Sequence, residues 1–160
     1  MGKLNSLTDT QMKQLVEILK SMVNIGKIKD KMNDETGIFL KELDEFFIRV
    51  HSLNSNRQFD LLPRLKEEIE REFKILEELS ADVSGKGVFV DLFLEFDAFS
   101  VSNLNLIESE KSVKKKEELF KAIVEKHAEL VKATEQAEKA VEKTNFQFTK
   151  VKKLLDKAYN

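Results

Sequence analysis

Apolar residues recur every seven positions along the last third of the chain. One series reads Val113, Phe120, His127, Thr134, Val141, Phe148, Leu155; three residues on from each lie Lys116, Ile123, Leu130, Ala137, Thr144, Val151, Ala158. Two such interleaved series are the a and d positions of a helix built to lie along another helix. No Gly or Pro occurs from Glu108 to Asn160, so nothing there interrupts it. The pattern predicts one helix over about 108–158, on the order of 75 Å long at about 1.5 Å per residue.

The first half is also patterned for helices. Thr8 followed by Gln11 reads as a capping box, with Leu7 and Met12 placed as a hydrophobic staple. Met12, Leu15, Val16, Leu19, Met22 and Val23 form the expected inner face, continued by Ile25, Ile28, Met32, Phe39, Leu43, Phe46, Val50 and Leu53. Gly26 and Gly37 interrupt it, each costing about 1 kcal/mol relative to Ala. With Asn33 and Asp34 between them, the expectation is a break near 33–37 and a second helix capped there. Asn54-Ser55-Asn56 reads as a connection. Asp60 is the expected cap of the next helix, with Pro63 in its opening turn, where a missing N–H costs little. Its stripe is Leu62, Leu65, Ile69, Phe73, Leu76, Leu79 and Val83, opposite a Glu-rich face, and Ser84-Gly85-Lys86-Gly87 ends it.

Residues 88–101 satisfy two periods at once. Val90, Leu92, Leu94 and Phe96 alternate with Asp91, Glu95 and Asp97 as in a strand; Phe89, Leu92, Phe93, Phe96 and Phe99 share one helical face. No other segment reads as β, and a lone strand does not persist, so a buried helix is expected. Ser102 to Asn105 is expected to turn the chain into the last helix. The fold class is therefore all-α: an elongated antiparallel bundle of four or five helices with one very long C-terminal helix. Residues 1–7 are expected to be a flexible N-terminus and 8–160 a single helical-bundle domain.

Composition narrows the chemistry. Hydrophobic residues make up 41% and charged residues 35%, which suits a folded domain with richly charged outer faces. There is no Cys, which removes disulfides, thiolate metal sites and a Cys nucleophile. Net charge is −2, but unevenly spread. Residues 54–107 carry six positive and eleven negative side chains, and residues 108–160 carry thirteen and ten. An acidic middle and a basic last helix attract each other in a folded bundle. Only four Arg are present, a poor supply for bidentate reading of phosphates or bases, so no nucleic-acid partner is expected.

Catalytic signatures are missing. His51 and His127 lack the Glu three residues upstream that a di-metal carboxylate bundle needs, since residue 48 is Ile and residue 124 is Val. There is no Walker loop and no dinucleotide Gly pattern. His127 lies on the core seam and reads as a partly buried core histidine. Thr134, Ala137 and Thr144 read as small positions that let a neighbouring helix come close. The expectation is no enzyme, no cofactor and no metal.

Two binding roles fit. One is a scaffold that docks partner helices or self-associates. The other is a peripheral membrane or lipid-binding bundle, inserting or pore-forming in its strongest form. For the second, Gly2 within Met1-Gly2-Lys3-Leu4-Asn5-Ser6 fits an N-myristoylation pattern. Lys3, Lys13, Lys150, Lys152, Lys153 and Lys157 are the candidate basic patch for an anionic surface. Phe89, Leu92, Phe93, Phe96 and Phe99 are the candidate hydrophobic contact segment. A cytoplasmic or peripheral membrane location is the corresponding expectation.

Overall fold

The computed structural model describes residues 6–56, 62–85 and 87–159. Among these, four helices carry the chain: α1 (Asp9–Ser55), α2 (Pro63–Gly85), α3 (Gly87–Ser109) and α4 (Val113–Tyr159). The protein is an all-α bundle with a long C-terminal helix of 47 residues.

Helix α1 starts where the capping box predicts. Thr8 N donates to Gln11 Oε1 (3.0 Å) and Gln11 N to Thr8 Oγ1 (3.1 Å), satisfying two donors that the first turn leaves free. The expected break near 33–37 does not occur, and neither Asn33 nor Asp34 caps a second helix: α1 runs unbroken for 47 residues. Its seam explains this. Ile18, Ile25, Met32, Phe39, Phe46 and Leu53 are all buried at seven-residue spacing, so stopping at 33–37 would forfeit burial of roughly 1.5–3 kcal/mol per large side chain. Thr36 in that stretch donates to the Met32 carbonyl at 2.8 Å, an intrahelical bond. Two glycines cost less than that.

The other boundaries follow local chemistry. Pro63 opens α2; the expected cap Asp60 lies outside the described residues. Residues 88–101 are helical, within α3. The turn expected at Ser102–Asn105 is instead helix, and the chain breaks at Glu110–Ser112. There Glu110 Oε1 accepts from Lys111 N (3.0 Å) and Ser112 N (3.1 Å), and Ser112 Oγ accepts from Lys115 N (3.4 Å) at the start of α4. The backbone N–H of Ser112, ahead of that of Lys111, holds the Glu110 carboxyl below its ordinary value. Asn103, the centre of the expected turn, donates its side-chain amide to the Leu119 carbonyl at 3.1 Å, tying α3 to α4.

The chain divides into two compact units. Unit 1 comprises α1 up to Asp30, α3, and α4 up to Gln136; unit 2 comprises α1 from Lys31, α2, and α4 from Ala137. In unit 1, α3 and α4 run antiparallel, since Asn103 meets Leu119 while Phe96 meets His127. In unit 2, α1 and α4 run parallel: Phe39 stacks on Phe148 (4.9 Å) and, ten residues on, Arg49 pairs with Asp156 (3.0 Å). Along α4 the predicted seam is buried at Phe120, Ile123, Leu130, Thr134, Val141, Thr144, Phe148, Val151, Leu155 and Ala158, while Val113 at its start is 70% exposed.

Candidate functional site

Each unit sets a titratable side chain against its apolar seam. In unit 1 this is the half-buried His127, at an a position of α4. Its Nε2 lies 2.8 Å from Ser21 Oγ of α1, and its ring meets Phe96 of α3 edge-on at 6.1 Å. Burial pushes the imidazole below its ordinary value. This is a satisfied core histidine, as its place on the seam predicts.

In unit 2 the buried group is Glu72 of α2, with only 7% of its side chain exposed. Gln147 of α4 donates one amide to the Glu72 carbonyl oxygen (2.7 Å) and to its carboxylate (2.8 Å). Lys150 Nζ lies 3.2 Å from the same carboxylate and Arg71 Nε 3.6 Å. The Gln147 bond chiefly holds the Glu72 carboxyl below its ordinary value, against burial and with help from Lys150. Sequence reasoning missed Glu72 because it reads as one more member of a Glu-rich face. Its spacing gave a signal: it stands three residues after Ile69 and four before Leu76, both fully buried. The core hydroxyls Thr134 and Thr144 satisfy themselves by donating to the carbonyls four residues back, at 2.7 Å and 2.9 Å.

Helix α3 is clamped by cations. Lys29 of α1 sits over the Phe93 ring at 5.6 Å, and Lys126 of α4 over the Phe99 ring at 5.5 Å, each worth about 0.5–2 kcal/mol. Lys126 also lies 4.0 Å from Glu95. A Cβ at Gly26 of α1 would stand 3.6 Å from Phe93 Cζ, an ordinary contact.

The candidate contact segment thus faces inward in large part, with Phe89 and Phe96 buried and Leu92, Phe93 and Phe99 half-buried. Of the candidate basic patch, Lys13 lies in unit 1, while Lys150, Lys152, Lys153 and Lys157 lie in unit 2. Lys150 is engaged by Glu72; Lys152, Lys153 and Lys157 are exposed. Gly2 and Lys3 fall outside the described residues.

No protein-family model, curated protein or solved structure matches this chain.

One surface feature reverses an expectation. Val16, Leu19 and Val23, read as part of the inner face of α1, are 42%, 56% and 63% exposed, while Ile18 is buried. The first two dozen residues carry two apolar stripes, and the seven-residue register of Ile18 and Ile25 takes the core. The second stripe is left outside. A cleft of about 420 Å³ in unit 1, lined by Leu106, Lys115, Glu118 and Leu119 among others, sits where α3 hands over to α4. Among the described residues no group of three or more His, Asp or Glu side chains is placed to hold a metal ion.

Proposed function

We propose that this chain is a non-catalytic interaction protein that docks a partner helix or a second copy of itself. The observation that supports this reading is the outward stripe Val16, Leu19, Val23. Large apolar residues at i, i+3 and i+7 are the anchors by which one helix receives another. Both long helices also keep a strict seven-residue register, the grammar of helix-on-helix association. Sedimentation velocity of the full chain across micromolar concentrations, with and without Leu19→Glu plus Val23→Glu, tests this. Concentration-dependent association, lost in the variant, is expected. A monomer at every concentration that also captures no amphipathic helix peptide on this stripe sinks the proposal.

A second reading, a lipid-binding bundle, is favoured by a different observation: α3 is the most apolar of the four helices. Among the described residues no helix is long and apolar enough to cross a membrane as it stands. The reading is therefore of a bundle that meets lipid at the surface or rearranges to do so. Flotation with anionic vesicles is its direct test.

A further inference from the structure

Helix α3 differs from the rest of the chain in the kind of charge it carries. From Gly87 to Ser109 every ionisable side chain is a carboxylate: Asp91, Glu95, Asp97 and Glu108. It has no Lys, Arg or His. Its apolar residues extend most of the way round, from buried Phe89 and Phe96 to Leu94 and Val101, which point outward at 65% and 40% exposure. At 23 residues it is about 35 Å long, enough to cross a hydrocarbon layer of about 30 Å. Its four carboxylates are the largest barrier to transfer to lipid, ahead of Asn103, Asn105 and its serines, and acid removes negative charge.

We infer that α3 is an acid-released helix: while ionised its carboxylates keep it out of lipid, and on protonation it moves its apolar surface into a lipid bilayer. This rests on the lipid-binding reading above. Among the described residues, the charged and titratable groups that contact α3 from α1 and α4 are Lys29, Lys126 and His127, and of these only His127 gains a charge in acid. From α1, Lys29 lies over Phe93. From α4, Lys126 lies over Phe99 and beside Glu95, and His127 meets Phe96. Protonating His127 places a cation among apolar side chains, where a charge is costly unless paired. Ser100 of α3 adds a buried hydroxyl with no hydrogen-bond partner, so the closed position is not fully satisfied even at neutral pH. The break at Glu110–Ser112 separates α3 from α4, so that α3 can leave without unwinding α4.

The chain has no Cys, so single labels are clean. Leu94→Cys on α3 and Glu77→Cys on α2 each receive an environment-sensitive fluorophore. Each is mixed with vesicles of phosphatidylcholine and phosphatidylglycerol between about pH 7.5 and about pH 4.5. Acid should raise the vesicle-bound fraction at least about ten-fold, because a charged carboxylate in hydrocarbon is costly and acid favours its neutral form. The Leu94 probe should report an apolar environment while the Glu77 probe stays aqueous. Asp91→Asn, Glu95→Gln and Asp97→Asn together should bring binding up towards neutral pH. Asp97→Lys, a charge acid cannot remove, should suppress insertion while circular dichroism shows the helices retained. Equal binding at both pH values overturns the acid release and leaves lipid binding standing. No binding at any pH overturns both. Binding with the Leu94 probe still aqueous overturns the assignment to α3.

Discussion

Units 1 and 2 share a frame and differ in the third helix laid on it. Both are made from a stretch of α1, a stretch of α4 and one shorter helix of 23 residues. In unit 2 that helix is α2, amphipathic and Glu-rich, with an aromatic cluster behind it: Phe148 stacks on Phe39, and Phe47 meets Phe73 edge-on at 4.9 Å. Its buried polar group, Glu72, is ionised and matched by Gln147 and Lys150. In unit 1 the third helix is α3, apolar on most sides and held by cations over its rings. Its wall holds a neutral histidine bonded to a serine. The contrast teaches that the same two long helices accept third helices of opposite character: α2 brings a buried, paired carboxylate, and α3 an apolar surface held by cations.

The strongest way to separate the units is to damage one core. Phe148→Ala removes a ring that touches both Phe39 and Phe46 and should cost about 3–5 kcal/mol. Hydrogen exchange should show protection lost in α2 and the second half of α4, with α3 unchanged; equal loss in α3 would mean the units do not respond separately. Next in size is the polar layer of unit 2. Glu72→Leu alone leaves the Gln147 amide only its bond to the residue-72 carbonyl and Lys150 without its carboxylate, and should cost about 1–3 kcal/mol in urea unfolding. Adding Gln147→Leu should recover most of that, because an apolar pair needs no partner. A double variant no better than the single one would show that the layer stabilises the unit outright.

Acid should then distinguish the two. His127 has its folded value lowered from 6.5 by burial, so the unfolded chain takes up its proton first. Unit 1 therefore loses stability as pH falls below 6.5 towards the lowered value. Glu72 has its folded value lowered from 4.5, chiefly by Gln147. Its contribution is fully present above 4.5 and is lost only as pH falls below that. Exchange protection followed down a pH series should fail in α3 before α2, and His127→Leu should flatten the earlier step. Simultaneous loss would contradict the assignment. The smallest effect is at the glycines. Gly37 has open space around its missing Cβ, so Gly37→Ala should stabilise unit 2 by about 0.5–1 kcal/mol. Gly26→Ala in unit 1 meets Phe93 at ordinary contact distance and should gain no more than that. Thermal melts of both read the difference.

The sequence by itself determined the helical class, the seam of α4, the start of α1 at Thr8 and the helical state of residues 88–101. These follow from period, capping chemistry and the lack of any second strand, all of which are local. Only the tertiary structure decided that α1 continues through Gly26 and Gly37, because the compensation comes from partners far along the chain, as Phe148 is for Phe39. Only it chose Ile18 over Val16, Leu19 and Val23 for the core, since two apolar stripes on one helix are equivalent until a neighbour occupies one of them. The same holds for Glu72, whose burial depends on a glutamine 75 residues away. A carboxylate's surroundings are set by what packs against it, and its own stretch of sequence does not record that.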